Sequence, residues 1–171
     1  MRRGSLFLHV MVGAAAGVAG SFAMERFQRA LGRISPDLGG APGGGGQQYR
    51  QPQSEPSTYV AADKVARAAT GHPLRPADKP AGGSLVHYAF GATVGALYGG
   101  LAARRPDTAA GLGMPFGIAV WMTADEIGMP ALGLAKAPTA YPLTDHLSAL
   151  GAHLVFGATT ETVRRLILSR R

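Results

Sequence analysis

The chain of 171 residues is 46% hydrophobic but only 16% charged, against about 25% charged for an ordinary soluble domain; its length suits one domain. It has no cysteine, which excludes disulfides and thiolate metal sites. The net charge of +7 is not gathered on one face: Arg2 and Arg3, Arg26 and Arg29, Arg104 and Arg105, and Arg164 and Arg165 all flank apolar stretches, a pattern of membrane topology rather than of phosphate contact, and no aromatic-interleaved basic strand points to nucleic acid.

Taken in chain order, the first element is a spanning helix over about 5–25. The run from Gly4 to Met24 has no Asp, Glu, Lys or Arg, and roughly 20 apolar residues cross a bilayer. The same stretch has the basic start, apolar middle and small residues of a secretory signal. His9 in its middle, and a glycine spacing shared with later segments, favour a retained span. Residues 35–57, "SPDLGGAPGGGGQQYRQPQSEPS", are too rich in Gly, Gln and Pro to bury a core and read as a disordered linker. An amphipathic helix follows over 58–71, with Ser57 or Thr58 as its cap and Gly71 as its stop. "GHPLRPADKP" then leads into a second span over about 82–103. A third, over about 108–126, carries Pro115. The fourth, over about 145–167, needs Glu161 sheltered from lipid.

Four crossings put both termini and the turn near Arg104 on one side. The short loop from Asp125 to Asp145 has one lysine and three acids. Lysine and arginine in short flanking segments mark the cytoplasmic face, so both termini are expected there.

Positions four apart share one face of a helix. "HVMVGAAAG", "HYAFGATVG" and "HLVFGATTE" each place a histidine four residues before a glycine. The resulting stripes hold Gly13 and Gly17 in the first span, Gly91, Gly95 and Gly99 in the second, Gly113 and Gly117 in the third, and Gly157 in the fourth. Lipid gives helices no hydrophobic reason to pair, so small residues that allow close approach are expected to pack the bundle.

Ionisable groups within a membrane are costly and face the bundle interior. Each histidine can be structural, bonded to a carbonyl or a serine, or part of a polar pocket or proton relay. The second and fourth spans run the same way, so His87 and His153 fall at similar depth in the outer half. The third span ends there with Asp125 and Glu126. A cluster of His87, Asp125, Glu126 and His153 is the candidate site. On the inner side His9, Glu161 and Arg164 form a second polar group, in which Arg164 and Arg165 stand three and four residues from Glu161, the spacing of an intrahelical ion pair.

No paired metal-ligand spacing occurs within one helix. His146 and His153 are seven apart, two turns and too far for joint ligation without other helices. No nucleophile turn or phosphate-cradling loop is present. The expected protein is therefore not an enzyme and has no cofactor.

Several blocks in order, "DKVARAATGHPL", "LVHYAFGATVGALYG", "AVWMTADEIGMPALGL", "AYPLTDHL" and "GAHLVFGATTETVRR", resemble the YagU-like inner-membrane proteins, a family of unknown function. The resemblance runs from about residue 58 to 168. It implies a small polytopic protein of the bacterial inner membrane, with His87, Asp125, Glu126, Pro130, Gly133, Tyr141, Pro142, His153 and Glu161 at family pattern positions, and supplies no activity.

The reading is an all-α, four-span membrane bundle with the lipid bilayer as its partner, a homo-oligomer or a membrane partner protein left open, and no nucleic acid. Its work is to pass or sense protons or a small polar solute. The alternatives are an accessory subunit with histidines as interhelical glue, and a membrane metal protein or enzyme.

Overall fold

The computed structural model describes residues 3–34 and 55–170, with side chains from Ser5 onward. The linker expected over 35–57 lies outside the described residues except for its last three. Among the described residues the chain is helical, with no strand.

Helix α1 (Arg3–Ile34) is one unbroken helix of 32 residues. Between Arg3 and Glu25 it carries no Asp, Glu, Lys or Arg, and at Glu25 an ion pair from Arg29 one turn on sustains it. Helix α2 (Ser57–Thr70) ends as expected: Gly71 takes the left-handed conformation (φ 77°), and its N–H bonds to the Arg67 carbonyl. Its start differs from expectation. Pro56 occupies the cap position with no side-chain cap, and the Pro56 carbonyl takes the N–H groups of Tyr59 and Val60 at 2.8 and 3.1 Å. Ser57 and Thr58 are buried, so their hydroxyls face the protein rather than the helix end. Beyond α2, Asp63 accepts hydrogen bonds from Arg67 Nε and the Leu74 N–H, both at 2.8 Å. These hold its carboxyl below the ordinary carboxylate value and pin the connection that returns the chain to α3.

Helix α3 (Lys79–Arg104) follows a single 3₁₀ turn at Pro76–Asp78. The third apolar segment is less regular than its charge-free run suggests. Residues Pro106–Gly113 form 3₁₀ turns broken by left-handed Gly111 and Leu112, and Gly113 is left-handed as well. Helix α4 (Met114–Val120) therefore starts later than expected, with Pro115 in its first turn, where a missing N–H costs nothing. The helix then widens into a π-helical stretch, Trp121–Gly128, and closes with α5 (Met129–Ala131). Thr123 Oγ1 donates to the Ala119 carbonyl at 2.7 Å, supplying a side-chain partner to an oxygen of the preceding turn. Pro130 has no N–H to return to the widened turn. Helix α6 (Leu143–Ser169) completes the fold.

α1 packs along α3 and α6, α4 along α6, and α2 across α3. Met24, Val120, Ala152 and Phe156 form the buried centre, with Phe27, Val94, Phe116 and Ala124 against it. The helix backbones approach closely. A side-chain carbon added to Gly95 would stand 2.7 Å from Gly17 Cα, and one added to Gly99 would stand 2.9 Å from Gly13 Cα. Between α4 and α6, a carbon added at Gly157 would stand 2.8 Å from the Gly117 nitrogen.

The segments Ser5–Ile34 and Pro76–Arg104 are long and apolar enough to cross a membrane. Helix α6, at 27 residues, is about 40 Å long at ~1.5 Å per residue but carries more charge. Large apolar side chains point outward from four helices: Phe7 on α1, Leu97 on α3, Ile118 on α4 and Leu147 on α6.

Candidate functional site

The widened turn after α4 carries Asp125 and Glu126. Neighbouring residues on a helix point roughly 100° apart, so one carboxylate faces inward and the other sideways. Asp125 is the inward one. It is buried, and its Oδ2 stands 3.4 Å from His153 Nε2 on α6. His153 is 4% exposed, and its Nδ1 bonds to the Ala149 carbonyl at 2.9 Å. A carbonyl only accepts, so Nδ1 carries a hydrogen. Its Nε2 then faces the Asp125 carboxylate across 3.4 Å, the arrangement of an ion pair when the ring carries its second proton.

His87, on α3, is also buried. Its Nε2 is 3.3 Å from the Ser21 carbonyl on α1, and its other neighbour is the Tyr88 ring at 5.2 Å between centroids. His87, Asp125 and His153 line one cavity of about 270 Å³. Met24 comes to its wall from α1, Phe90 from α3, Leu132 and Leu134 from the loop after α5, and Phe156 from α6. Thr58 and Ala61 of α2 close one side. Three of the four residues expected to cluster therefore line one cavity.

Glu126 is the exception. It turns to His146, whose Nδ1 lies 2.9 Å from Glu126 Oε1. The roughly 100° between successive residues prevents both carboxylates from entering one cavity. His146 Nε2 faces the Pro138 carbonyl at 3.1 Å, so this imidazole too is set between two acceptors. His146 was not among the expected site residues. Its signal lay in the seven-residue spacing to His153: two helical turns put both histidines on one face of α6, and the two adjacent acids partner one each.

The inner polar group is real as a set of contacts but leaves out His9. Glu161 is fully buried, and Arg164 is buried beside it. Arg164 Nε and Nη2 donate to the two carboxylate oxygens at 2.7 and 2.9 Å. Arg165 also bonds to Glu161, and its Nη2 reaches the Ala109 carbonyl at 2.8 Å. Tyr98 Oη of α3 donates to Glu161 at 2.9 Å, and its ring stacks on Phe116 at 4.2 Å. Tyr98, which no sequence motif marked, thus ties α3 to α6. His9 turns back to the Ser5 carbonyl of its own helix at 2.7 Å. Among the described residues no group of three or more His, Asp or Glu is arranged to hold a metal ion.

An all-helical protein, with two helices able to cross a membrane and ionisable groups gathered inside it, is the class these features define. Residues 74–162, just over half of the chain, match the model of the family described as "Protein of unknown function (DUF1440)". The chain belongs to that family. No curated protein matches it, and no solved structure does.

Proposed function

We propose that the protein is a four-span integral membrane protein that passes or senses protons or a small polar solute through the His87–Asp125–His153 cluster. Its resemblance to the YagU-like proteins supports the bacterial inner membrane as its location, and the arginine pattern supports cytoplasmic termini. Two helices meet the length and hydropathy of a span. The outward apolar side chains on α4 and α6, around an interior that holds the charges, favour crossings by those segments as well. In this reading the glycines of α1, α3, α4 and α6 set the helix approach that lipid alone would not drive.

The observation that carries the functional reading is the His153–Asp125 pair: an imidazole and a carboxylate 3.4 Å apart, both buried and lining one cavity. Ionisable groups in such a place belong to relays and substrate paths more often than to scaffolding. The Glu126–His146 pair lies two turns along α6, about 10 Å away at ~1.5 Å per residue, and supplies a second station toward the loop side. The test is proton flux into vesicles reconstituted with purified protein and loaded with a pH-sensitive dye. Asp125→Asn and His153→Ala should each abolish most of the flux while the protein still purifies as a folded species. Flux equal to wild type in both variants would overturn the reading.

A second reading is favoured by one set of contacts. His87 and His153 each face a backbone carbonyl, as interhelical or intrahelical glue would. In that case the chain is an accessory membrane subunit. His87→Ala and His153→Ala would then lower the melting temperature, with no flux to lose.

A further inference from the structure

Two imidazole–carboxylate pairs join the widened turn to α6, and they differ in exposure. The side chains of His153 and Asp125 are 5% and 9% exposed. Those of His146 and Glu126, on the loop side, are 19% and 11% exposed. Water therefore exchanges protons more readily with the outer pair.

His146 also reaches a third element. Its Nδ1 is 2.9 Å from Glu126 Oε1, and its Nε2 is 3.1 Å from the Pro138 carbonyl. A carbonyl and a carboxylate both only accept. An imidazolium has two N–H groups and serves both. A neutral imidazole has one, so one of the two partners loses its hydrogen and faces a lone pair.

These ties hold the outer end of the cavity. Asp125 lies beside Glu126, His153 lies two turns along α6, and both line the wall with Leu132 and Leu134 of the loop that leads to Pro138. The first part of that loop has other supports. Lys64 Nζ of α2 donates to the Leu132 and Gly133 carbonyls at 2.8 and 3.4 Å, and the Leu134 N–H bonds to the Met129 carbonyl at 2.9 Å. The second part is a 3₁₀ turn at Pro138–Ala140, closed on itself by the Lys136 N–H on the Tyr141 hydroxyl at 2.9 Å. His146 joins this turn to Glu126. The charged and titratable groups around the imidazole are Glu126 on the widened turn, Asp145 before it on α6, and Lys136 and Tyr141 in the loop, the Tyr141 ring standing 6.5 Å away between centroids. Among these side-chain types the imidazole is the one that ordinarily changes charge between about pH 5 and 8.

We propose that His146 is a proton-operated latch on the outer end of the cavity, a role that rests on the reading of that cavity as the working site. As imidazolium it holds the Pro138 turn and Glu126 together on α6. As neutral imidazole it lets the turn swing away. The site is then closed to the outside in acid and open above neutrality.

The test places nitroxide labels on Ile127→Cys and Thr139→Cys, both exposed and each beside a group that the latch joins, in the purified full-length protein in detergent. Their separation is read by electron paramagnetic resonance at about pH 5 and about pH 8, on either side of the imidazole's charge change. One narrow separation is expected at the lower pH, and a longer, broader one at the higher. His146→Ala should give the broad distribution at both. Glu126→Gln should give the narrow one at both, because its amide offers an acceptor to an N–H and a donor to a lone pair; it serves if His146→Ala fails to fold. A wild-type separation that does not change with pH would overturn the proposal, as would a pH response that survives His146→Ala. Proton flux that depends on Asp125 in a protein of fixed separation would overturn the latch and leave the relay standing. A pH-dependent separation in a protein with no flux would support the latch and overturn the relay.

Discussion

Gly95→Leu is expected to separate α1 from α3 and destabilise the protein by about 3 kcal/mol or more, at or beyond the upper end for overpacking. The added side chain would have to enter the line of closest approach. Even its first carbon would stand 2.7 Å from Gly17 Cα and 2.9 Å from the Gly17 nitrogen. Those neighbours are backbone atoms of a continuous helix, which cannot rotate aside as a side chain can. Relief requires moving α1, and α1 also packs on α6, so the strain spreads to Met24 and its contacts with Phe156. Gly95→Ala should show a smaller loss in the same direction. Gly151→Ala is the control: its added carbon would meet only the Phe27 ring, at 3.5 Å, an ordinary contact, and its stability should hold or rise by up to about 1 kcal/mol. Thermal unfolding in one detergent, followed by circular dichroism, compares all three. Equal melting temperatures for Gly95→Leu and Gly151→Ala would show that the backbones do not approach as described.

Glu161→Ala is expected to cost about 3–5 kcal/mol, the range for breaking a buried ion pair from one side. The loss is larger than that of a surface pair because Glu161 is fully buried and serves three donors at once. Arg164 would be left buried with its two hydrogen bonds gone, and Tyr98 would lose the acceptor of its hydroxyl. Replacing the arginine as well should recover part of the stability: Glu161→Ala with Arg164→Met removes the stranded charge and fills its space with an apolar chain. Tyr98→Phe removes one hydrogen bond and should cost about 1 kcal/mol. Unfolding of the three variants beside wild type forms the check. A single Glu161→Ala as stable as wild type would mean that water, not the protein, satisfies Arg164.

Much of the fold was legible from chemistry that acts over one or two turns. Gly71 ended α2 because only a residue tolerant of φ near 77° closes a helix in that way. The Glu161–Arg164–Arg165 contacts followed from i, i+3 and i, i+4 spacing. His87, Asp125 and His153 line one cavity, in keeping with helices α3 and α6 running the same way and the third segment ending beside them. The parts that were not legible depend on departures from regular helix. A uniform charge-free run from Thr108 to Ala124 gave no sign of left-handed Leu112 beside Gly111 and Gly113, so the start of α4 was placed too early. No residue pattern announces the π-helical stretch that carries Asp125 and Glu126. That adjacent helical residues diverge is legible, and it is this divergence that sends Glu126 to His146 rather than into the cavity. Ser57 and Thr58 look like caps in sequence, yet Pro56 takes that place and turns Thr58 inward.

The cavity and its charges have their proposed meaning only if α4 and α6 cross the membrane along with α1 and α3. Single cysteines at Asp107, Thr139 and Ser169, all exposed, read this directly in a chain that has none of its own. Each is labelled in intact cells with a membrane-impermeant maleimide. Four crossings with cytoplasmic termini predict that Thr139→Cys is labelled from outside, whereas Asp107→Cys and Ser169→Cys are labelled only after the membrane is opened. Protection of all three positions in intact cells, as two crossings by α1 and α3 alone would give, would contradict the account.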